Sequence, residues 1–219
     1  MTLFRQATLG IVSHWPESDY HFHIIHQQGA LEMVGRASSL TMLLVMMASV
    51  ANAEKPELPA PPDGFEWQWC DEVRVGLLKP DGWHYHTHKK GATLGYFITK
   101  ESIAEKGEFA TGLTLNMMPD VGKKTGGQAS DVAKSIVGRA IRDRESVLTV
   151  IPPGNVGPTQ TFGCRVKRNG SIIHYFLIAD NGADKLYLFY FESPEKEWDA
   201  AWKTGEQMLK KLFIDLPEK

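Results

Sequence analysis

Residues 161–192 read Thr-Phe-Gly-Cys-Arg-Val-Lys-Arg-Asn-Gly-Ser-Ile-Ile-His-Tyr-Phe-Leu-Ile-Ala-Asp-Asn-Gly-Ala-Asp-Lys-Leu-Tyr-Leu-Phe-Tyr-Phe-Glu. Three runs rich in β-branched and aromatic side chains, Thr161–Lys167, Ser171–Ala179 and Lys185–Glu192, are separated by turn signals. Asn169-Gly170 is the strongest short hairpin signal, because both central residues of such a turn must accept positive φ. Asp180-Asn181-Gly182 marks the second turn. The three runs are therefore expected to form an antiparallel meander.

The pattern on either side is built from strands and two helices. Upstream, Val73–Leu78 ends at the turn Pro80-Asp81-Gly82, and Trp83–His88, Leu94–Thr99, Phe109–Met117 and Val147–Ile151 read as further strands. Between them, Val132, Ala133, Ile136, Val137, Ala140 and Ile141 recur at helical spacing and predict an amphipathic helix over Gln128–Asp143. Downstream, Ser193 is placed to cap a final helix, with Pro194 in its first turn and Glu195 near the positive end of the dipole. Trp198, Trp202, Gly205, Leu209, Leu212 and Leu216 form one stripe along that helix, read as core.

The N-terminal quarter reads differently. Arg36, the uncharged run Leu40–Val50 and Ala51-Asn52-Ala53 have the layout of a secretory signal peptide over residues 33–53, with cleavage after Ala53. The apolar run is too short for a membrane span, which needs about 20 residues, so no membrane anchor is expected after cleavage. Residues 1–32 are expected to be an upstream mis-start or extension, with synthesis beginning at Met33. Residues 54–64, with Pro56, Pro59, Pro61 and Pro62, read as an extended tether. Residues 65–219 are then one globular α+β domain, expected to be periplasmic or secreted.

Charge and cysteine usage narrow the function. Without Arg5, Glu17, Asp19, Glu32 and Arg36, the exported part holds 22 basic and 23 acidic residues. Such a near-neutral chain offers no basic block to nucleic acid or to an anionic membrane surface. Cys70 and Cys164 both fall in the exported part, where an even pair is expected as a disulfide.

One constellation has the residue types for metal chemistry. His84, His86 and His88 alternate with Tyr85 and Thr87, so a regular strand places Trp83 and Tyr85 inward and the three histidines together on its other face. Residues two apart stand about 7 Å apart at Cα, and two imidazoles at that spacing can converge on one divalent metal. A further ligand, such as His174 or a carboxylate, would have to come from elsewhere. The competing reading is the polar face of an edge strand. Gly122-Lys123-Lys124-Thr125-Gly126-Gly127 lacks the Gly-Lys-Ser/Thr ending of a phosphate-binding loop and reads as a turn. No Gly-x-Ser-x-Gly nucleophile motif appears, so no catalytic residue is assigned.

With Pro80-Asp81-Gly82-Trp83 closing an early strand, and Phe191-Glu192-Ser193-Pro194 leading to a final helix that ends Leu212-Phe213, the chain resembles the PsbP/Mog1-like family over about residues 65–215. The resemblance implies an α+β, α/β/α sandwich, an antiparallel sheet with helices on both faces. It also implies an accessory or adaptor role, binding other proteins without a shared catalytic set. The expectation is an exported, non-catalytic accessory protein that binds another envelope protein, with no cofactor. The alternative is a periplasmic protein that binds a divalent metal at the histidine stripe, and a hydrolytic enzyme is a distant third.

Overall fold

A computed structural model describes residues 56–90, 93–103 and 108–215. The expectations for residues 1–32 and for a signal peptide at 33–53 lie outside the described residues. In chain order the strands are β1 (Phe65–Cys70), β2 (Val75–Pro80), β3 (His84–Lys90), β4 (Thr93–Thr99), β5 (Gly112–Pro119), β6 (Val147–Val156), β7 (Thr159–Arg168), β8 (Ser171–Asp180), β9 (Lys185–Pro194) and β10 (Phe213–Ile214). The helices are α1 (Val121–Thr125), α2 (Ala129–Ala140) and α3 (Trp198–Lys210), with short 3₁₀ turns at Arg144–Ser146 and Glu195–Glu197.

All strand pairing is antiparallel, in a three-stranded sheet ordered β1-β2-β10 and a seven-stranded sheet ordered β3-β4-β5-β9-β8-β7-β6. The meander of β9, β8 and β7 fills the fourth to sixth positions of the large sheet, with β6 alone beyond it. Its first turn has Asn169 and Gly170 at φ 50 and 81, as a two-residue hairpin demands. In the second, the Asp180 carboxylate accepts from the amides of Gly182 and Ala183, both at 2.9 Å. That turn also starts α2. Gln128 gives the helix no side-chain cap, and Asn181 Oδ1 accepts from the Ser130 amide at 2.9 Å instead.

The buried side chains fall into two clusters. In one, Ala133, Ile136, Val137 and Ala140 of α2 pack with Phe162, Cys164, Ile173, Leu177 and Leu188. In the other, Trp198 and Met208 of α3 pack with Val75, Leu77, Leu78, Tyr96, Phe189 and Phe191. At Gly205 α3 lies close against the sheet, since a Cβ there would stand 2.7 Å from the Phe191 ring. The Pro-rich segment lies beside the small sheet, where Trp67 Nε1 donates to the Pro59 carbonyl at 2.6 Å.

Several expectations need correction. The Cys70–Cys164 disulfide is not formed. Cys70 lies in the α3 cluster at the end of β1, Cys164 lies in the α2 cluster on β7, and both are buried free thiols. Burial pushes them up to about 12 and about 11, which leaves them poor nucleophiles.

Ser193 does not cap a helix. It stays in β9 opposite Ile172, fully buried, and its hydroxyl meets that of Thr111 at 3.3 Å. Pairing with β8 runs on to Pro194 and delays α3 to Trp198. The helix also stops earlier than the stripe suggests. Leu212 follows it and Phe213–Ile214 turn back to pair with Gly76 and Val75, while Leu216 is outside the described residues.

β6 continues through Pro152-Pro153-Gly154 to Val156. It does so with register shifts between Val147 and Thr149 and between Ile151 and Gly154, which an edge strand tolerates. β1 was hidden by its mixed composition, and β2 begins only at Val75 because Arg74 turns the chain at φ 54.

Candidate functional site

The histidine stripe is an edge feature. β3 pairs with β4 alone among the described residues, with His84 opposite Thr99, His86 opposite Phe97 and His88 opposite Gly95. His84 and His88 are exposed and His86 is half-buried. The His84 and His86 rings stack at 6.4 Å between centroids. Trp83 and Tyr85 pack against the α3 cluster, but Thr87, on the same side by alternation, is exposed. Among the described residues no group of three His, Cys, Asp or Glu side chains is close enough to hold a metal ion.

His174 cannot supply the missing ligand. Register carries Tyr85 through Ile98, Leu113 and Phe191 to His174. His174 therefore lies in line with Tyr85, not with the histidines, and four strands away, about 19 Å at the usual strand spacing.

His174 has a different role. It sits directly opposite Arg165 across the β7–β8 hairpin and is 7% exposed. Its ring lies 4.4 Å from that of Trp202. The Arg165 guanidinium stands over the same Trp202 at 4.3 Å and over Trp198 at 4.9 Å, and these two indoles stack at 5.2 Å. Two buried nitrogens on these paired residues, Arg165 Nε and His174 Nδ1, have no hydrogen-bond partner. Burial, with the Arg165 charge adding to it, pushes the His174 imidazole down to about 4, so it is neutral at ordinary pH. Burial lowers Arg165 as well, and Glu206 opposes that shift.

Two more features stand near these elements. Glu192 of β9 is a carboxyl pushed up to about 7 by burial alone. β6 forms the other edge of the large sheet, with Thr149 opposite Arg165. It carries Leu148, Val150 and Val156, which are 49%, 50% and 58% exposed. The lysines of the Gly122–Gly127 segment form no anion site. α1 is five residues long, Lys124 Nζ donates to the Pro119 carbonyl at 2.7 Å, and the Gly122 amide is taken by Asp184 at 2.7 Å.

The Arg165–His174 pair escaped the sequence reading although a signal for it was present. A two-residue turn at Asn169-Gly170 sets Arg168 opposite Ser171 and therefore Arg165 opposite His174. The arrival of Trp198 and Trp202 over the pair depends on where α3 starts, and no local pattern specifies that.

No protein-family model and no curated protein matches the chain. Among solved structures it is similar to cyanobacterial PsbP from Synechocystis, at 12% identity and a TM-score of 0.44 over 69% of this chain and 93% of that one. It is similar to the Ran-binding protein Mog1p of Saccharomyces cerevisiae, at 11% identity and 0.42 over 68% and 95%. It is also similar to LpqN of Mycobacterium tuberculosis, involved in cell envelope biogenesis, at 12% identity and 0.40 over 65% and 83%. The first two likenesses are to PsbP and to Mog1p themselves, and no residue's role crosses with any of the three.

Proposed function

We propose that the chain is an exported, non-catalytic accessory protein that binds another envelope protein along β6. The observation that carries this reading is the placement of exposed apolar bulk. Among the described residues the large hydrophobic side chains that stand exposed are Leu148, Val150 and Val156, all on this one edge strand. Exposed apolar side chains collected on one edge strand mark a candidate interaction site, with Val150, opposite Cys164, and Val156, opposite Thr159, on different faces of the sheet.

The edge is poorly suited to simple strand addition. The register shift between Ile151 and Gly154 and Pro152-Pro153, which lack amide donors, limit any added strand to the Val147–Ile151 half, and that half is itself interrupted by the shift between Val147 and Thr149. Docking would therefore rely mainly on side chains.

The export part of the reading rests on the pattern at residues 33–53, and the non-catalytic part on the absence of a nucleophile motif from the sequence. Intact mass of protein recovered from the envelope should begin at Glu54. The finer architecture, α2 and α3 on opposite faces of the large sheet, is supported by alternation. Ile173, Leu177, Leu188 and Tyr190 belong to the α2 cluster, while Ile172, Ile178, Phe189 and Phe191 belong to the α3 cluster.

The test is co-purification of the tagged full chain from the envelope with wild type and with Leu148→Asp/Val150→Asp. A partner retained by wild type and lost by the double variant supports the reading. A partner retained equally by both contradicts it.

The second reading is divalent metal binding at His84, His86 and His88. It is favoured by the stacked His84 and His86 rings and by His86 Nε2, which is buried without a hydrogen-bond partner.

A further inference from the structure

We propose that Trp67, Gly76 and Phe213 form a docking groove for a proline-rich segment, and that two copies of the chain pair by each placing its residues 58–62 in the groove of the other. Within one copy the groove holds that chain's own segment, and this arrangement shows what fits it.

The segment is stiff by sequence. Pro56, Pro59 and Pro62 stand three apart, the period of a polyproline helix. Pro59, Pro61 and Pro62 fix their own φ, while Leu58 and Ala60, each before a proline, are biased to extended backbone. Such a segment loses little chain freedom when it docks. Leu58 is its apolar plug. Gly76 of β2 leaves a notch for it, since a Cβ there would stand 3.3 Å from each of Leu58 Cδ2, Trp67 Cε3 and Phe213 Cβ. Trp67 Nε1 then donates to the Pro59 carbonyl at 2.6 Å. Aromatic-lined grooves are a recurrent receptor for proline-rich segments.

The attachment is of a kind that can be exchanged. Proline has no amide with which to lace the segment into a sheet. Among the described residues its hydrogen bonds are the one from Trp67 and a turn bond from the Phe65 amide to the Pro62 carbonyl at 3.1 Å. That turn, Pro62-Asp63-Gly64-Phe65, has Gly64 at φ 80 and is the whole hinge. Straightening it breaks the turn bond, and the remaining contacts re-form on a second copy. The groove is not sealed: a cavity of about 270 Å³ lies beside the segment, with Pro59, Pro62, Trp67, Leu212 and Phe213 in its walls. So short a hinge holds the segment at its own groove at an effective concentration on the order of millimolar. Dilute wild type is therefore monomeric, and pairing needs either concentrated protein or a hinge that cannot turn.

The test is sedimentation of the full chain with a hinge variant. Gly64→Pro fixes φ near about −65° and forbids the turn. It should sediment as a dimer at micromolar concentration where wild type is a monomer, and Gly64→Pro/Leu58→Asp should return to monomer. A second measurement does not depend on how the hinge variant folds. A labelled peptide of residues 54–63 should bind Leu58→Asp, whose own segment is unseated, roughly tenfold or more tightly than wild type, in which the tethered segment competes. The same peptide should dissociate the Gly64→Pro dimer. Equal binding to wild type and Leu58→Asp, or none to either, would overturn the groove. A Gly64→Pro monomer beside peptide binding to Leu58→Asp would overturn pairing between copies and leave the groove to a proline-rich segment of another protein. A dimer indifferent to both Leu58→Asp and the peptide would also overturn the exchange.

Discussion

The two histidine-bearing regions of the large sheet make opposite use of the same side chain. On β3 three histidines are spaced so regularly that they stand out in the sequence, yet His84 and His88 remain exposed. On β8 a single histidine with no surrounding pattern is buried against Trp202 and opposite an arginine. The difference teaches that alternation tells which side chains share a face, and says nothing of what is laid against that face. β3 is an edge strand, whereas β8 has β7 and β9 as neighbours and the α3 tryptophans above His174.

The largest effect that can sharpen this comparison is a truncation under α3. Trp198→Ala should destabilise the protein by about 3–5 kcal/mol, because the indole is buried and touches Phe191, Trp202 and Arg165. His88→Ala on the exposed stripe should stay within about 0.5 kcal/mol. Urea unfolding midpoints at constant slope measure both, and equal losses would break the contrast.

Next in size is the pH response of the buried histidine. The folded His174 pKa lies below its unfolded value, so the unfolded chain binds the extra proton between about pH 6.5 and about 4. Its contribution is fully present above that window and is lost as pH falls through it, by up to about 3 kcal/mol. Glu192 works the other way, since its raised pKa gives stability at low pH that is lost as pH rises through about 7. The two slopes oppose each other in wild type and should be separated by substitution. Relative to wild type, His174→Gln should gain stability as pH drops from 6.5 to 4, and Glu192→Gln should gain as pH rises from 4.5 to 7. Parallel profiles for all three proteins would remove both assignments.

Gly205→Ala should cost about 1–3 kcal/mol, because its Cβ would press on the Phe191 ring. An unchanged melting temperature would mean that α3 is not seated as described.

The smallest expected effect belongs to the stripe as a metal site. Two stacked imidazoles without a third ligand should bind Zn²⁺ weakly and lose it as pH falls, because the metal needs neutral imidazole. Calorimetric titration of wild type against His86→Ala should show a small, pH-dependent difference. Tight binding would restore the metal reading, and identical curves would leave the stripe as polar surface.

Much of the fold was legible where local chemistry and tertiary structure agree. Asn169-Gly170 fixed a turn type and with it the register of β7 on β8, and the α2 stripe met the apolar side chains that alternation placed opposite it. The reading failed where tertiary contacts overrode local signals. Ser193-Pro194 has the chemistry of a helix start, but pairing with Ile172 and Ser171 keeps both residues in β9. Pro152-Pro153 signals an ending, yet β6 passes through it because residues without an amide donor are tolerated on an edge strand, at a shift in register. Met208 is fully buried while Leu209, on the expected stripe, is only half-buried. For the candidate site, the arginine–histidine pair followed from hairpin register, whereas the tryptophans above it and the exposure of β6 depend on packing between distant segments.

The most direct test of the central claim, that the protein meets its partner along β6 and not along β3, is photo-crosslinking in the cell. A photoreactive amino acid is placed at Val150 in one strain and at His88 in another, and adducts are read by mass. The account predicts a discrete protein adduct from position 150, abolished by Leu148→Asp, and none from position 88. An adduct from position 88 with nothing from position 150 would contradict it.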